Sequence, residues 1–299
     1  MEIVDKHIYN YLVICDKNLA SHVVFTVHCF VASMNNGNRS NTRLTVVTEV
    51  ELVDKLKVQL EFVVDSGISL NVVPARNNDN YEGMAHLTNF AYLRIYTAEY
   101  FDAHVRKVVY FDVDCWIKQD ITHLFELDLG NNLGAGTIEF TSQEDKKRLD
   151  LEETDFYVNT GLFLINLQLW RDENIQMKFL TCYNEIRHKL KWADQDVFNV
   201  LFRGRWFLLD PQYNLMRQYQ YVPSVIHFNT GSKPWHFRDE NIWSRKYVNF
   251  RMEVEKDWLP EGVNFSQLIQ MGIRVWRDFV VDVRFCVKCS YRYLLKKNS

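Results

Sequence analysis

Lys107-Val-Val-Tyr-Phe-Asp-Val-Asp-Cys-Trp-Ile-Lys-Gln-Asp120 is the stretch on which the fold turns. The apolar run Val108 to Phe111 reads as a buried strand, and Asp112 and Asp114 follow it at once. Ending a buried strand on two carboxylates is costly unless they are compensated. Side chains two apart on a strand share one face, so the pair Asp112-Val113-Asp114 predicts two like charges side by side. A divalent cation relieves that repulsion, because hard cations take carboxylate oxygens. A diphosphate is the commonest anion held by such an ion. An isolated Asp-x-Asp also occurs on solvated loops, so the surrounding chain has to decide.

Working outward, the first half alternates strands and helices. Ile8–Ile14, Leu44–Thr48 and Leu70–Pro74 read as strands. Helices are expected from about Leu19 to Ala32, up to about Asp65, and around His86 to Tyr96, the last after a polar loop from Ala75 to Gly83. Such alternation implies right-handed crossovers and a mostly parallel sheet. Ligands then bind at the carboxyl ends of the strands, where Asp112 and Asp114 stand. No G-x-G-x-x-G and no P-loop is present, which argues against a dinucleotide fold or an NTPase.

The second half breaks the alternation. Thr160–Asn166 reads as a strand, Leu169–Leu190 as one helix, and Ala193-Asp-Gln-Asp196 as the start of another with Asp194 as its N-cap. Val222–Phe228 is a late strand.

Bulk composition narrows the function. The chain has 299 residues, 47% apolar and 24% charged, with net charge −3. That is ordinary for a globular protein and argues against a general nucleic-acid binder. No apolar run approaches the roughly 20 residues needed to span a bilayer, and the first residues lack a signal-peptide pattern. Cys15, Cys29, Cys115 and Cys182 lie in apolar runs and read as buried small hydrophobes. Cys286 and Cys289 form a lone C-x-x-C without partners for a zinc site. The expected location is cytoplasmic.

The tail, residues 271–299, differs from the rest, with seven basic residues against two acidic ones. Trp276, Phe279, Val280, Val283, Val287, Tyr291 and Leu294 recur at helical spacing, with Arg277, Arg284, Lys288 and Arg292 opposite. That pattern predicts a basic amphipathic helix for an anionic membrane surface, at the inner face of the membrane. The competing expectation is a helix that packs on the catalytic domain.

Further segments join the aspartate pair: Tyr157–Arg171, Asp194–Asn199, Leu208–Asn214 and His227-Phe-Asn-Thr-Gly-Ser-Lys-Pro-Trp-His236. With Tyr110–Asp114 and Asp120–Phe125, their order and spacing resemble glycosyltransferase family eight, over roughly residues 8–238. The resemblance implies an α/β protein with a GT-A fold, a Rossmann-like, mostly parallel sheet flanked by helices. It implies a catalytic domain over 1–238 and a helical extension over 239–299. The implied reaction moves a hexose, galactose or glucose, from a UDP-sugar to a glycan or lipid-linked saccharide such as lipopolysaccharide, with retention of configuration.

The resemblance also implies site residues. Asp112, Asp114 and His227 match the ligands of a manganese ion, with magnesium as the alternative. Without the neighbouring Lys-Pro-Trp-His motif, His227 reads better as a satisfied core histidine. Lys233 matches the lysine that meets the donor diphosphate, and Gly231 the glycine that lets backbone approach it. That glycine stands one place later than in the family, where this chain has Thr230. Asp16 and Asn18 match the readers of uracil and ribose, although Leu19 replaces the aromatic that often follows. Arg94 and Val113 fall in the donor-binding set, and Asn159, Asp194 and Gln195 match the residues around the donor sugar.

Retaining glycosidases use two carboxylates about 5 Å apart, and the sequence shows no such second pair. Gln195 is too weak a nucleophile for an easy covalent step, which favours same-face attack. Three rival readings compete with this one. A haloacid-dehalogenase-type phosphatase needs a hydroxyl residue where Trp116 stands. A non-catalytic sugar binder is expected to have lost metal ligands. A self-glycosylating, glycogenin-like protein needs a tyrosine near the site, and 15 tyrosines leave that choice open.

Overall fold

β4, Lys107–Phe111, is the hinge of the topology: it pairs in parallel with β1 (Tyr9–Ile14) on one side and antiparallel with β7 (Val158–Asn166) on the other. The computed structural model describes residues 8–76, 89–216, 222–229, 231, 233–236 and 242–261. The remaining strands are β2 (Thr42–Thr48), β3 (Ser69–Pro74), β5 (Cys115–Ile117), β6 (Gly134–Ile138), β8 (Trp206–Leu208) and β9 (Val225–His227). Seven of them form one sheet in the order β3-β2-β1-β4-β7-β6-β8, and β5 and β9 form a two-stranded ribbon. The sheet is mostly parallel, as its alternating first half predicts, and β7 alone runs against its neighbours.

The chain steps outward from β1 to β3 and then returns to β4 beside β1. That reversal is a topological switch point, beyond which open α/β sheets usually bind their ligands. Because β7 is reversed, its first residues lie beside the end of β4, with Phe111 opposite Leu162. Against β6, the register of β7 jumps between Gly136 and Thr137, so Thr160 to Leu162 have no β6 partner. Such bulges free backbone next to active sites.

Helices correct three expectations. The Leu169–Leu190 helix is two, Leu167–Asp172 and Ile175–Ile186, because Asn174 turns left-handed at φ 50°. Val53–Gln59 and Glu61–Asp65 are likewise separate. The expected His86–Tyr96 helix is described only from Asn89 onward, as a 3-10 helix over Asn89–Glu99.

The Ala193–Leu201 helix is anchored by Phe198, whose ring lies 4.8 Å from Phe179, 5.7 Å from Trp170 and 5.8 Å from Phe163 on β7. Rings at such separations add to area burial. Asp194 is not its N-cap: Trp192 holds that place, without a side-chain cap. The carboxylate that serves this helix start is Asp196, which accepts from the Lys191 and Trp192 amides at 2.6 and 2.9 Å. Asp196 is fully buried, and it also takes Arg148 Nη1 at 3.0 Å and the Tyr157 hydroxyl at 2.6 Å. That network holds Ala193 at φ 48°, a left-handed turn costly for a residue with a Cβ.

The chain forms two compact units, Met1–His227 and Phe228–Ser299. In the second, the Ile242–Val254 helix buries Arg251, which pairs with Glu255 at 3.0 Å and lies 4.4 Å from the Trp258 ring. The amphipathic tail and the C-x-x-C pair lie outside the described residues. No described helix is long and apolar enough to cross a membrane.

Candidate functional site

Asp112 and Asp114 come together by a turn and not by strand alternation. β4 ends at Phe111, the Cys115 amide donates to the Asp112 carbonyl at 3.0 Å, and β5 begins at Cys115. β5 runs antiparallel to β9 with Cys115 directly opposite His227. This ribbon brings a histidine from far along the chain to the aspartates. His227 Nε2 lies 3.3 Å from Asp114 and 3.7 Å from Asp112. His227 is 4% exposed, and its Nδ1 has no hydrogen-bond partner among the described residues. A buried ring nitrogen left without a protein partner is costly, but Nε2 is the nitrogen that faces the two carboxylates and would ligate an ion held between them. Two carboxylates and an imidazole fit manganese, and magnesium less well.

The fit of His227 depends on Gly161, which the sequence reasoning passed over. A Cβ there would lie 2.0 to 2.6 Å from the imidazole atoms. The Gly161 carbonyl accepts from the Asp112 amide at 2.7 Å, and its amide donates to Asn159 Oδ1 at 2.9 Å. A glycine inside a strand pattern signals close approach of another group, and Asn159-Thr-Gly161 carried that signal.

Arg94 braces Asp112 from the other side. Its guanidinium donates to the Thr160 carbonyl at 2.7 Å, reaches Asp112 at 3.4 Å and Asp194 at 2.8 Å, and lies 4.4 Å from the centre of the Tyr110 ring. The Tyr110 hydroxyl donates to Asp112 at 2.5 Å. Burial pushes that hydroxyl's pKa well up, so it remains a donor. Burial also pushes the Asp194 carboxyl up to about 7, against the pull of Arg94. Desolvation opposes the Arg94 charge, but Asp194, Tyr110, Asp112 and Asp114 outweigh it and raise its pKa.

A second cluster adjoins the first. Asn159 Nδ2 and Gln195 Nε2 both donate to Glu139 Oε2 at 2.9 Å. Gln195 Oε1 accepts from the Thr160 amide at 3.1 Å, and Asn159 Oδ1 also accepts from Asn214 at 2.9 Å. Glu139 is not legible in the sequence, because nothing in Thr137-Ile-Glu139 announces the partners that the β6–β7 pairing supplies.

Asp16 is buried and shapes the turn after β1, accepting from the Asn18 and Leu19 amides at 3.0 and 3.1 Å, while Asn18 is exposed. The Val113 side chain is buried, and its carbonyl accepts from the Thr26 hydroxyl. Lys233 and Gly231 belong to the second unit. There Lys233 Nζ donates to the Phe228 carbonyl at 3.1 Å, and a Cβ on Gly231 would meet nothing.

Residues 9–239 match the family described as glycosyl transferase family 8. General stress protein A of Bacillus subtilis is 25% identical over 79% of this chain and 90% of its own length. Lipopolysaccharide 1,2-glucosyltransferase of Escherichia coli is 28% identical over 48% of this chain, and the chain spans about half, 49%, of that relative. The solved structure of the galactosyltransferase LgtC with donor and acceptor sugar analogs superposes with a TM-score of 0.70. It is 20% identical, over 86% of this chain and 98% of that one, and shares the GT-A fold.

Proposed function

Because the chain belongs to glycosyl transferase family 8, we propose that it transfers a hexose, galactose or glucose, from a UDP-sugar to a saccharide acceptor with retention of configuration. The observation that carries this reading is the convergence of Asp112 and Asp114 on Nε2 of the buried His227, at 3.7 and 3.3 Å. Asp112, Asp114 and His227 would hold manganese. A divalent ion there neutralises charge on a departing diphosphate.

The chain's own residues do the rest. Arg94 and Tyr110 hold the Asp112 carboxylate on Oδ1. Exposed Asn18 meets the nucleoside, and Lys233 places a point charge on the diphosphate. Glu139 fixes the carboxamides of Asn159 and Gln195 before substrate arrives. Fixed dipoles stabilise developing charge without reorganising, and at Gln195 they face an oxocarbenium-like sugar. Gln195 is no strong nucleophile, so the acceptor attacks on the face the diphosphate leaves and gives its proton to that leaving group.

Asp114→Asn is the test. Calorimetric binding of UDP in the presence of manganese is expected to vanish and transfer to fall by about 10³-fold, with thermal stability unchanged or raised because one of two like charges is gone. Unchanged manganese-dependent binding overturns the reading. Proton NMR of the product reports retention directly.

A lipopolysaccharide or other surface saccharide is the proposed acceptor, in keeping with the named activity of the Escherichia coli relative. We propose that the tail 271–299 brings the enzyme to anionic lipid at the inner face, since each basic residue near such a surface contributes about 1 kcal/mol. Sedimentation with anionic liposomes, full chain against a chain ending at Gln270, decides this. The extension is proposed to begin at residue 239.

A further inference from the structure

Cys115 adds a soft donor to this centre. A carboxylate oxygen of Asp114, the Cys115 sulfur and a ring nitrogen of His227 all lie within 4.8 Å of one another. All three residues are buried, with Cys115 at 1% and His227 at 4% exposure. The arrangement is built by the fold: Cys115 and His227 face each other across the β5–β9 ribbon, where opposed side chains on one face are nearest neighbours. Both turn toward Gly161, whose carbonyl accepts from the Cys115 thiol at 3.3 Å and whose missing Cβ leaves room for the imidazole. His227 Nδ1 remains a buried polar atom without a partner among the described residues.

We propose that Asp114, Cys115 and His227 form a zinc-class coordination site that overlaps the manganese site and excludes manganese when filled. Thiolate with imidazole and one carboxylate is a ligand set of zinc and its congeners, whereas carboxylate-rich sets suit harder ions. Asp114 and His227 serve either ion. A hard ion takes Asp112 as its third ligand, and a soft ion takes Cys115 in its place. Coordination through sulfur displaces the thiol proton to solvent. The inference rests on the manganese reading only through the shared Asp114 and His227.

Cadmium and zinc alone are the probes, added to full-length protein carrying Cys286→Ser and Cys289→Ser so that the C-x-x-C pair does not contribute. Cadmium is expected to raise an ultraviolet thiolate-to-metal charge-transfer band with a stoichiometry of one. Cys115→Ser and Cys115→Ala should each lose the band and bind zinc at least ~10-fold more weakly. Two variants keep the test open if one of them fails to fold. Paramagnetic resonance of free manganese should show zinc releasing bound manganese from the parent protein. A band that survives both substitutions, or zinc and manganese bound together without competition, overturns the inference. A cadmium–sulfur band in a protein that never binds manganese supports the soft site and sinks the manganese reading. Manganese binding without any sulfur band does the reverse.

Discussion

The Asp112–Asp114–His227 centre and the Glu139–Asn159–Gln195 cluster adjoin each other along β7, yet they treat their polar atoms in opposite ways. In the first, two carboxylates crowd one imidazole whose Nδ1 has no described partner. In the second, both ends of each carboxamide are engaged before any ligand arrives. One centre leaves a buried polar atom open, and the other is finished by the fold. Gly161 joins them, bonding Asp112 with its carbonyl and Asn159 with its amide.

The harshest way to break the finished cluster is to remove its foundation. Asp196→Ala removes the carboxylate that accepts from Arg148, the Tyr157 hydroxyl and two backbone amides. Breaking a buried ion pair of this kind costs ~3 kcal/mol, read as a lower urea midpoint, with loss of transfer activity following. Glu139→Ala leaves that foundation but releases the Asn159 and Gln195 carboxamides. Misplacement at a reacting centre costs about 10²-fold. The loss is expected in kcat, with the manganese affinity of the neighbouring centre unmoved. An equal loss of manganese affinity would show that the two clusters are one.

Gly161→Ala tests the joint. Its Cβ meets a buried imidazole that has no easy alternative, so the variant is expected to lose ~1–3 kcal/mol of stability and to bind manganese more weakly. Calorimetry and chemical denaturation measure both.

The smallest effect is a pH dependence at Asp194. Its folded pKa, about 7, lies above its ordinary value of 3.8, so the protonated form is the one the fold prefers. The stability it contributes is present in full below that ordinary value and is lost as pH rises toward 7. Between pH 5 and 6 the wild type should lose stability relative to Asp194→Asn by at most ~1.4 kcal/mol per pH unit. A parallel dependence in the two proteins would remove Asp194 as the cause.

Local pattern by itself determined much of this protein. Apolar runs ending in polar residues marked β1 to β4 within a few residues of their observed ends, and Val108 to Phe111 followed by two aspartates marked the centre. Motif order then supplied His227. These features are legible because each depends on neighbours along the chain. Strand direction is not of that kind: an apolar run reads the same whether its partner is parallel or antiparallel, so the reversal of β7 and its bulge came only from pairing with β4 and β6. The same holds for Glu139 beneath Gln195, for Gly161 beneath His227, and for Asp196 acting where Asp194 was expected. Cys115 opposite His227 belongs here too, since residues 112 positions apart in sequence meet only when β5 and β9 pair. Long-range pairing fixes which polar atoms are satisfied inside the protein and which are left open, and that difference separates the two clusters.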